Sequence, residues 1–461
     1  MKNNHTVFAL AVMLAASICS AEVPLGHPDF LPTAGSPVGF RGDGTGVFPG
    51  NPPTTWDLKT GTNVAWKVEL PAYTTASPIV VAGKVIIACE PDIVVCYDEQ
   101  TGKVLWQQAG GAFDCLGTEN ARRAGELLTT LRANEVQGKA DIHDKASDYA
   151  KAADEFEKLT KLSLHYWPKH ATPTPTSDGS SIAIRSLVGP VVCYDMDGKR
   201  KWAQAVKGLT RVAPCSAIMA KGQILTYDGT APQLRSFDAA TGKMSWDITV
   251  GRGHFKYASP VHFRLGGRDL IFTDAGDIVS LDGKILAAGL LHMDGASTPI
   301  VVDGVAYANA GGKEGGLSAV QLSAPAPDKV EGKPLWTAKV RLAGSSPVVN
   351  DGLVYALDGG GSLVVVEAKT GEVLFKQLAE KGQMSVDASL AIGGGLLFVP
   401  NWQGDISVYR PGRKPELVAK NAGEPNASSP VIAGSRLYLC GPRILYALTT
   451  APQTPEKPVS H

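Results

Sequence analysis

Residues 94–106 read VVCYDEQTGKVLW and residues 191–202 read VVCYDMDGKRKW. The pattern returns as LRSFDAATGKMSW at 234–246 and VVVEAKTGEVLF at 364–375, with a weaker copy, SLDGK, from Ser280. Each copy is a β-branched or aromatic run, an Asp/Thr/Gly turn and a second short run that closes on an aromatic. That is the composition of a β-hairpin, in which glycine supplies the positive-φ position of the turn. Self-similarity at a fixed period marks a repeat architecture.

Upstream of each hairpin a small residue, usually followed by proline, opens a further pair of strands. The openings are Ser77-Pro78, Thr174-Pro175, Ala213-Pro214, Ser259-Pro260, Thr298-Pro299, Ser346-Pro347, Ser389-Leu390 and Ser429-Pro430. Counted between the second residues of these pairs, the spacings are 97, 39, 46, 39, 48, 43 and 40. An insertion of about 55 residues accounts for the first of them. Eight openings at this period, with four strands per unit, predict an all-β, eight-bladed β-propeller of four-stranded antiparallel blades.

The eighth repeat supplies three strands, around Val431, 437–440 and 444–448, whereas the segment NVAWKVEL at 63–70 matches an outer strand with none before it. The two fragments complete one blade. The N-terminal strand 63–71 therefore closes a ring spanning 63–451, which removes the free edges of an open array, and 452–461 is a polar tail. Trp66, Trp106, Trp202, Trp246, Trp336 and Phe375 recur once per blade and so form a belt. Packing between adjacent blades is the role that this spacing predicts for them.

Residues 1–21 place Lys2 before an apolar run from Val7 to Ile18 and end on Ser20-Ala21, the pattern of a secretory signal peptide. The run is shorter than the roughly 20 residues that span a bilayer. An exported monomer with no transmembrane segment is expected, periplasmic or extracellular. Ile18 stands before Cys19 where a bacterial lipid-anchor signal wants a small residue, so no anchor is expected. Residues 22–62 read as an N-terminal leader. Lys plus Arg equals Asp plus Glu at 44 each, which gives no electrostatic capture of nucleic acid or anionic membrane. Cys96 and Cys193 share a repeat position in sheets roughly 10 Å apart, beyond the ~7 Å limit for a disulfide. Cys89 and Cys440 are likewise read as equivalent positions. Mostly buried thiols are expected, with pairing by Cys115 or Cys215 open.

Residues 109–172 interrupt the repeat and shift to Ala, Lys, Glu and Leu. Tyr149, Ala152, Ala153, Phe156 and Leu159 form an apolar stripe at helical spacing, matched by Ala124, Leu127, Leu128 and Leu131 in the first half. The spacing predicts a helical hairpin joined near Gly138, either packed on the propeller or serving as a partner-binding arm. It emerges on the face where each outer strand connects to the next inner strand. The connectors there carry Arg211, His254, Lys256, His292, Asp294 and Arg341, and a hairpin tip presents Trp402. Polar groups converging on a concave mouth make this face the candidate ligand site.

The D-x-x-T-G-K-x-x-W hairpins at Asp98 and Asp238, with the variant at Glu367, resemble the tryptophan-docking repeats of the pyrroloquinoline quinone (PQQ) propeller superfamily. The opening FRGDGTGVFPG from Phe40, followed by NVAWKVELP and ASPIVV, is similar to exported bacterial PQQ-like repeat proteins common in planctomycetes. The superfamily contains both dehydrogenases and noncatalytic scaffolds, and includes the propeller lipoprotein of the outer-membrane β-barrel assembly machine. Its alcohol dehydrogenases hold PQQ under a disulfide of adjacent cysteines, with calcium on Glu and Asn and an Asp as base. This chain has no Cys-Cys pair and no C-x-x-C-H haem attachment, so no residue carries over as a PQQ, calcium or metal ligand. Nor does it contain H-E-x-x-H, G-x-S-x-G or a P-loop. No catalytic residue is assigned and no cofactor is expected, with PQQ and calcium disfavoured. The reading is a noncatalytic scaffold binding a protein or peptide; the alternative is a PQQ-dependent dehydrogenase of an alcohol or sugar. Arg41-Gly42-Asp43 spells an adhesion tripeptide and is read as chance.

Overall fold

The computed structural model describes residues 23–33, 37–90, 93–109, 116–136, 144–160, 173–186, 190–204, 215–228, 232–251, 258–291, 293, 296–342, 344–378, 388–425 and 428–450. Eight antiparallel sheets follow one another along the chain, seven built from four consecutive strands. Blade one runs from Ile79–Val81 to Val104–Ala109. Blade eight takes three strands from the C-terminal end and its outer strand from Val64–Glu69, which pairs with Ile444–Thr449. The ring is closed by the chain's two ends, as the repeat arithmetic predicts.

The small polar residue that opens each repeat has a specific task. Ser77 N donates to Thr174 Oγ1 at 3.2 Å, Thr174 N to Ser216 Oγ at 3.0 Å, and Ser216 N to Ser259 Oγ at 2.9 Å. Ser259 N donates to Thr298 Oγ1, Thr298 N to Ser346 Oγ, Ser346 N to Ser389 Oγ and Ser389 N to Ser429 Oγ, all between 2.8 and 3.1 Å. Ser77 Oγ donates to Ser429 O at 3.1 Å and completes the circle. These N–H groups face the next blade rather than their own sheet, and a buried donor left unpaired there would cost about 1–3 kcal/mol. A one-carbon hydroxyl reaches it. The circle also corrects the reading of blade three, whose opening is Ser216 and not Ala213-Pro214, which lie outside the described residues.

The outer-strand tryptophans pack one blade onward. Their indole Nε1 groups donate to backbone carbonyls on the next blade: Trp66 to Glu99, Trp106 to Met196, Trp202 to Ala239, Trp246 to Leu281 and Trp336 to Ala368, at 2.9–3.1 Å. Each ring covers the glycine of that turn, so closely that a Cβ at Gly242 would stand 2.5 Å from the Trp202 ring. Phe375 packs against the cluster shared by blades six and seven. Blade four departs from the rule. Its outer strand, Ile285–Ala287, has no tryptophan, and the outer hairpin of blade five is lengthened to Gly316–Ala326 and Lys329–Ala338. Leu322 and Val330 from that hairpin join Leu286 and Leu290 of blade four in one cluster, replacing the missing indole.

Among the described residues Cys89, Cys96, Cys193, Cys215 and Cys440 are buried thiols, none in a disulfide. Burial pushes Cys96 and Cys193 up to about 12. They do share a repeat position, opposite Trp106 and Trp202. Cys89 and Cys440 do not: Ile86 and Tyr438 are equivalent through their partners Ile79 and Val431, so Cys440 matches Ala88 and points to the other face of its sheet.

A buried carboxylate pins blade four to blade three. Asp269 is met by Lys221 Nζ at 2.5 Å, His262 Nε2 at 3.2 Å and Arg264 Nε at 3.4 Å. Burial acts to raise its carboxyl, but the bonds from His262 and Lys221 outweigh that and hold it at about 2. Asp269→Asn should therefore lose roughly 2 kcal/mol at pH 7. Because the folded value lies below the unfolded one, near ~3.9, the advantage is full above that pH and disappears as pH falls toward 2. Urea unfolding of both proteins at pH 7 and near pH 2 checks this; an equal gap at both would contradict it.

Candidate functional site

Strand direction gives the propeller two unlike faces. Connectors and the tips between second and third strands share one, here the connector face; the remaining turns share the opposite, hairpin face. The leader occupies the channel mouth on the hairpin face. Its Pro37 and Val38 carbonyls accept from Val80 N and Ser177 N in blades one and two, while Ile392 N of blade seven donates to Gly46 O at 2.9 Å. Val47–Phe48 then pairs in parallel with the innermost strand of blade seven. Arg41 Nη2 reaches Pro347 O of blade six at 2.7 Å. Contacts with inner strands on opposite sides of the ring require the segment to cross the channel.

The glycines of GFRGDGTGVFPG make that crossing fit. Gly46 has φ +77° and a Cβ there would overlap the Arg41 guanidinium; Gly50 has φ +125° and a Cβ would overlap Gly434 O. Side chains at either position would be strained as well as blocked. The Arg-Gly-Asp tripeptide belongs to this plug, with Arg41 only 2% exposed. An adhesion loop needs the opposite exposure. A cavity of about 30 Å³ beside the plug, lined by Phe40, Asp43, Thr176, Ser216, Ser259 and His262, is of the size that holds one or two waters.

The open candidate is therefore the connector face. Arg341 is exposed there and donates to Gly312 O at 2.7 Å, tying the connector after blade five to that blade's own tip. Trp402 is 51% exposed on the tip of blade seven, which Asp405 N closes by donating to Asn401 Oδ1. The two stand on different blades. Arg211, His254, Lys256, His292 and Asp294 lie outside the described residues.

Beneath those connectors lies a polar layer that the sequence reading missed. Arg185 at the end of a strand in blade two faces Asp228 of blade three at 3.9 Å, and both are buried. Its neighbour Tyr227 bonds Asp274 of blade four; burial first, then that carboxylate's charge, pushes the phenol well above its ordinary value. Charged and phenolic groups at this depth link blades two, three and four under the channel mouth. Their only sequence signal was an Asp ending the apolar runs QILTYD and RDLIFTD. Among the described residues no three His, Cys, Asp or Glu side chains group to hold a metal ion.

The helical insertion consists of α1, Thr118–Val136, and α2, Asp148–Thr160. The apolar stripes meet each other, with Leu127, Leu131, Tyr149 and Phe156 in a cluster that, among the described residues, contains no propeller side chain. Arg123 forks onto Glu155 across the pair, both bonds at 2.6 Å. No helix among the described residues is long and apolar enough to cross a membrane.

Comparison with known proteins agrees with this architecture. Curated relatives described as outer membrane protein assembly factor BamB, from Yersinia pestis and Moranella endobia (strain PCIT), are each 26% identical, over 243 and 231 residues. Those matches cover 46% and 44% of this chain, and span 58% and 56% of the relatives' lengths. The crystal structure of BamB from Moraxella catarrhalis superposes with a TM-score of 0.54 at 14% identity, over 84% of this chain and 97% of that one. The computationally designed Ika8 protein gives 0.53 at 10% identity, over 83% and 97%. The family profile described as outer membrane protein assembly factor BamB matches residues 122–325 and 324–443. With the eight-bladed ring and its shared repeat chemistry in place, the chain belongs to the BamB family of outer membrane protein assembly factors.

Proposed function

We propose that the protein is an exported, noncatalytic scaffold that takes a protein or peptide partner on its connector face and serves outer membrane protein assembly without a quinone cofactor. Family membership over residues 122–443 is the observation that supports this reading furthest. The plugged hairpin face directs docking to the other side. Trp402 stands exposed on that side, an aromatic of the kind that anchors protein interfaces. The helical hairpin serves as an arm: its apolar residues are used internally, so it holds its shape and offers charged faces that include Arg122, Lys151 and Asp154.

Deletion of residues 115–165 should leave a folded propeller, because the insertion's core is separate. Partner recovery after cross-linking should fall about tenfold. Recovery of the same partners at the same level would remove the arm from the reading. Trp402→Ala should weaken the captured complex by roughly 2 kcal/mol while leaving the melting temperature unchanged. Dye-linked alcohol or sugar oxidation after addition of PQQ and calcium would overturn the noncatalytic assignment.

A further inference from the structure

The leader segment 37–50 is held in the channel mouth largely by its backbone. Val80 N, Ser177 N and Ile392 N donate to its Pro37, Val38 and Gly46 carbonyls at 2.8–3.1 Å, and Val47–Phe48 adds a parallel strand to the inner edge of blade seven. Two of its side chains are seated deeply. Val38 lies in a cluster with Ile79 and Ile182 of blades one and two, and Phe48 in one with Ala391 and Ile432 of blades seven and eight. These are the elements of strand addition: main-chain bonds that any extended segment can make, and pockets that select its side chains.

The same segment is held at a cost. Arg41 is a buried guanidinium whose hydrogen bonds go to the carbonyls of Pro347, Thr45 and Gly44, and its Nε has no partner. Carbonyls orient an ion but do not neutralise it. Burial accordingly lowers Arg41 to about 9, against a weaker opposite pull from Asp43. The Asp43 carboxylate is used inside the segment, accepting from Thr45 N at 3.0 Å and Thr45 Oγ1 at 2.6 Å. Gly39, Gly42, Gly44, Gly46 and Gly50 each lose more freedom on ordering than any other residue would. The cavity of about 30 Å³ lined by Phe40, Asp43, Ser216 and His262 leaves the packing against blades three and four incomplete. On either side the chain is fixed more firmly. Lys221 N of blade three donates to the carbonyl of buried Phe30 at 2.8 Å, and Trp56 is bonded to Asn421 and Ala422. Residues 37–50 are therefore the part that opens before the ring does, as a loop with both ends held.

We propose that the hairpin-face mouth is a strand-accepting groove for an extended segment of a partner polypeptide, with residues 37–50 as its built-in occupant. The occupant defines the ligand. It carries an aromatic for the Phe48 seat, followed two residues on by glycine, since a Cβ at Gly50 would overlap Gly434 O of blade eight. With the leader seated this face is closed, so the groove is a second site, opposite the connector-face docking proposed above and independent of it.

The test uses the full mature chain, with a fluorescently labelled peptide of residues 37–50 as the probe. In Gly46→Val/Gly50→Val the new side chains meet the Arg41 guanidinium and the Gly434 carbonyl at positive φ, which unseats the leader while changing no blade residue. That protein should bind the peptide saturably and about tenfold or more tighter than the wild type, in which the tethered leader competes at high effective concentration. A peptide carrying Phe48→Ala should bind about tenfold more weakly. Hydrogen exchange of the wild type gives a second readout that needs no variant. The amides of Val80, Ser177 and Ile392 should exchange through local opening, faster than those of the strands Lys84–Cys89 and Leu396–Pro400 beside them. Equal affinity of the two proteins, indifference to Phe48, or exchange of the three amides only together with the whole ring overturns the groove. A wild-type dimer that the free peptide dissociates would give the groove to a second copy's leader and overturn the partner assignment.

Discussion

A chain that begins at residue 71 is expected to aggregate or to melt roughly 10 °C below the full-length protein, whereas a chain that begins at residue 51 remains a closed monomeric ring. The difference between them is residues 51–70, which hold buried Trp56, bonded to Asn421 and Ala422 beside blade seven, and the strand Val64–Glu69. The strand supplies the outer edge of blade eight, pairing from Val64↔Leu448 to Glu69↔Ile444. It also carries Trp66, which lies between Tyr438 of blade eight and Tyr97 of blade one at 6.0 and 6.5 Å and bonds to Glu99 O. Loss of a buried tryptophan alone costs about 3–5 kcal/mol. Set against a net stability of about 5–15 kcal/mol, that is a large share, and the ladder bonds go with it. The exposed strand Ile444–Thr449 then offers its backbone to other chains. Size-exclusion chromatography and thermal melting of the two truncated chains decide the matter. A chain from residue 71 that is monomeric and melts with the full-length protein would show that the seam is not the closure.

Most of the ring was legible because its information is local and repeated. A hairpin such as VVCYDEQTGKVLW declares its strands, its turn and its docking residue within thirteen positions, and the copies check one another. The insertion was legible for the same reason: a helical period needs only one short window. What stayed hidden depends on partners far away in sequence. Small-residue-proline pairs at Ala213-Pro214 imitate a blade opening, but the hydroxyl that serves blade three is three residues on, and only the bond from Thr174 N selects it. Residues 37–50 have no period at all, being rich in glycine, and their course is set by N–H donors on blades one, two and seven and a carbonyl acceptor on blade six. Buried Asp228 and Asp274 look in sequence like ordinary turn residues; their depth comes from neighbouring blades. A one-residue register error likewise made Cys89 and Cys440 look equivalent, since strand pairing rather than residue identity sets the face.

Trp202→Ala should destabilise the protein by about 3–5 kcal/mol, the largest loss of any single substitution in the docking belt away from the closing seam. Trp202 is the most enclosed of the interior seams: it is 9% exposed, stacks on Phe237 at 6.3 Å, and lies in a cluster with Ala183, Cys193, Met219 and Ile224. Its Nε1 bond to Ala239 O at 3.0 Å is lost as well, leaving that carbonyl to find water through a closed interface. Gly242→Ala should also destabilise, for two separable reasons. The residue has φ +71°, which alone costs about 1 kcal/mol for a side chain. In addition its new Cβ would stand 2.5 Å from the Trp202 ring, forcing the indole off its seat. The double variant distinguishes the two. Where Trp202 is already alanine the clash is gone, so Gly242→Ala should then cost only the backbone term, and the cycle should show coupling of at least ~1 kcal/mol. Chemical unfolding of the four proteins measures it. Additive costs would mean that the indole does not rest on the turn glycine, and the recurring pairing of Trp with Gly at five seams would lose its physical reason.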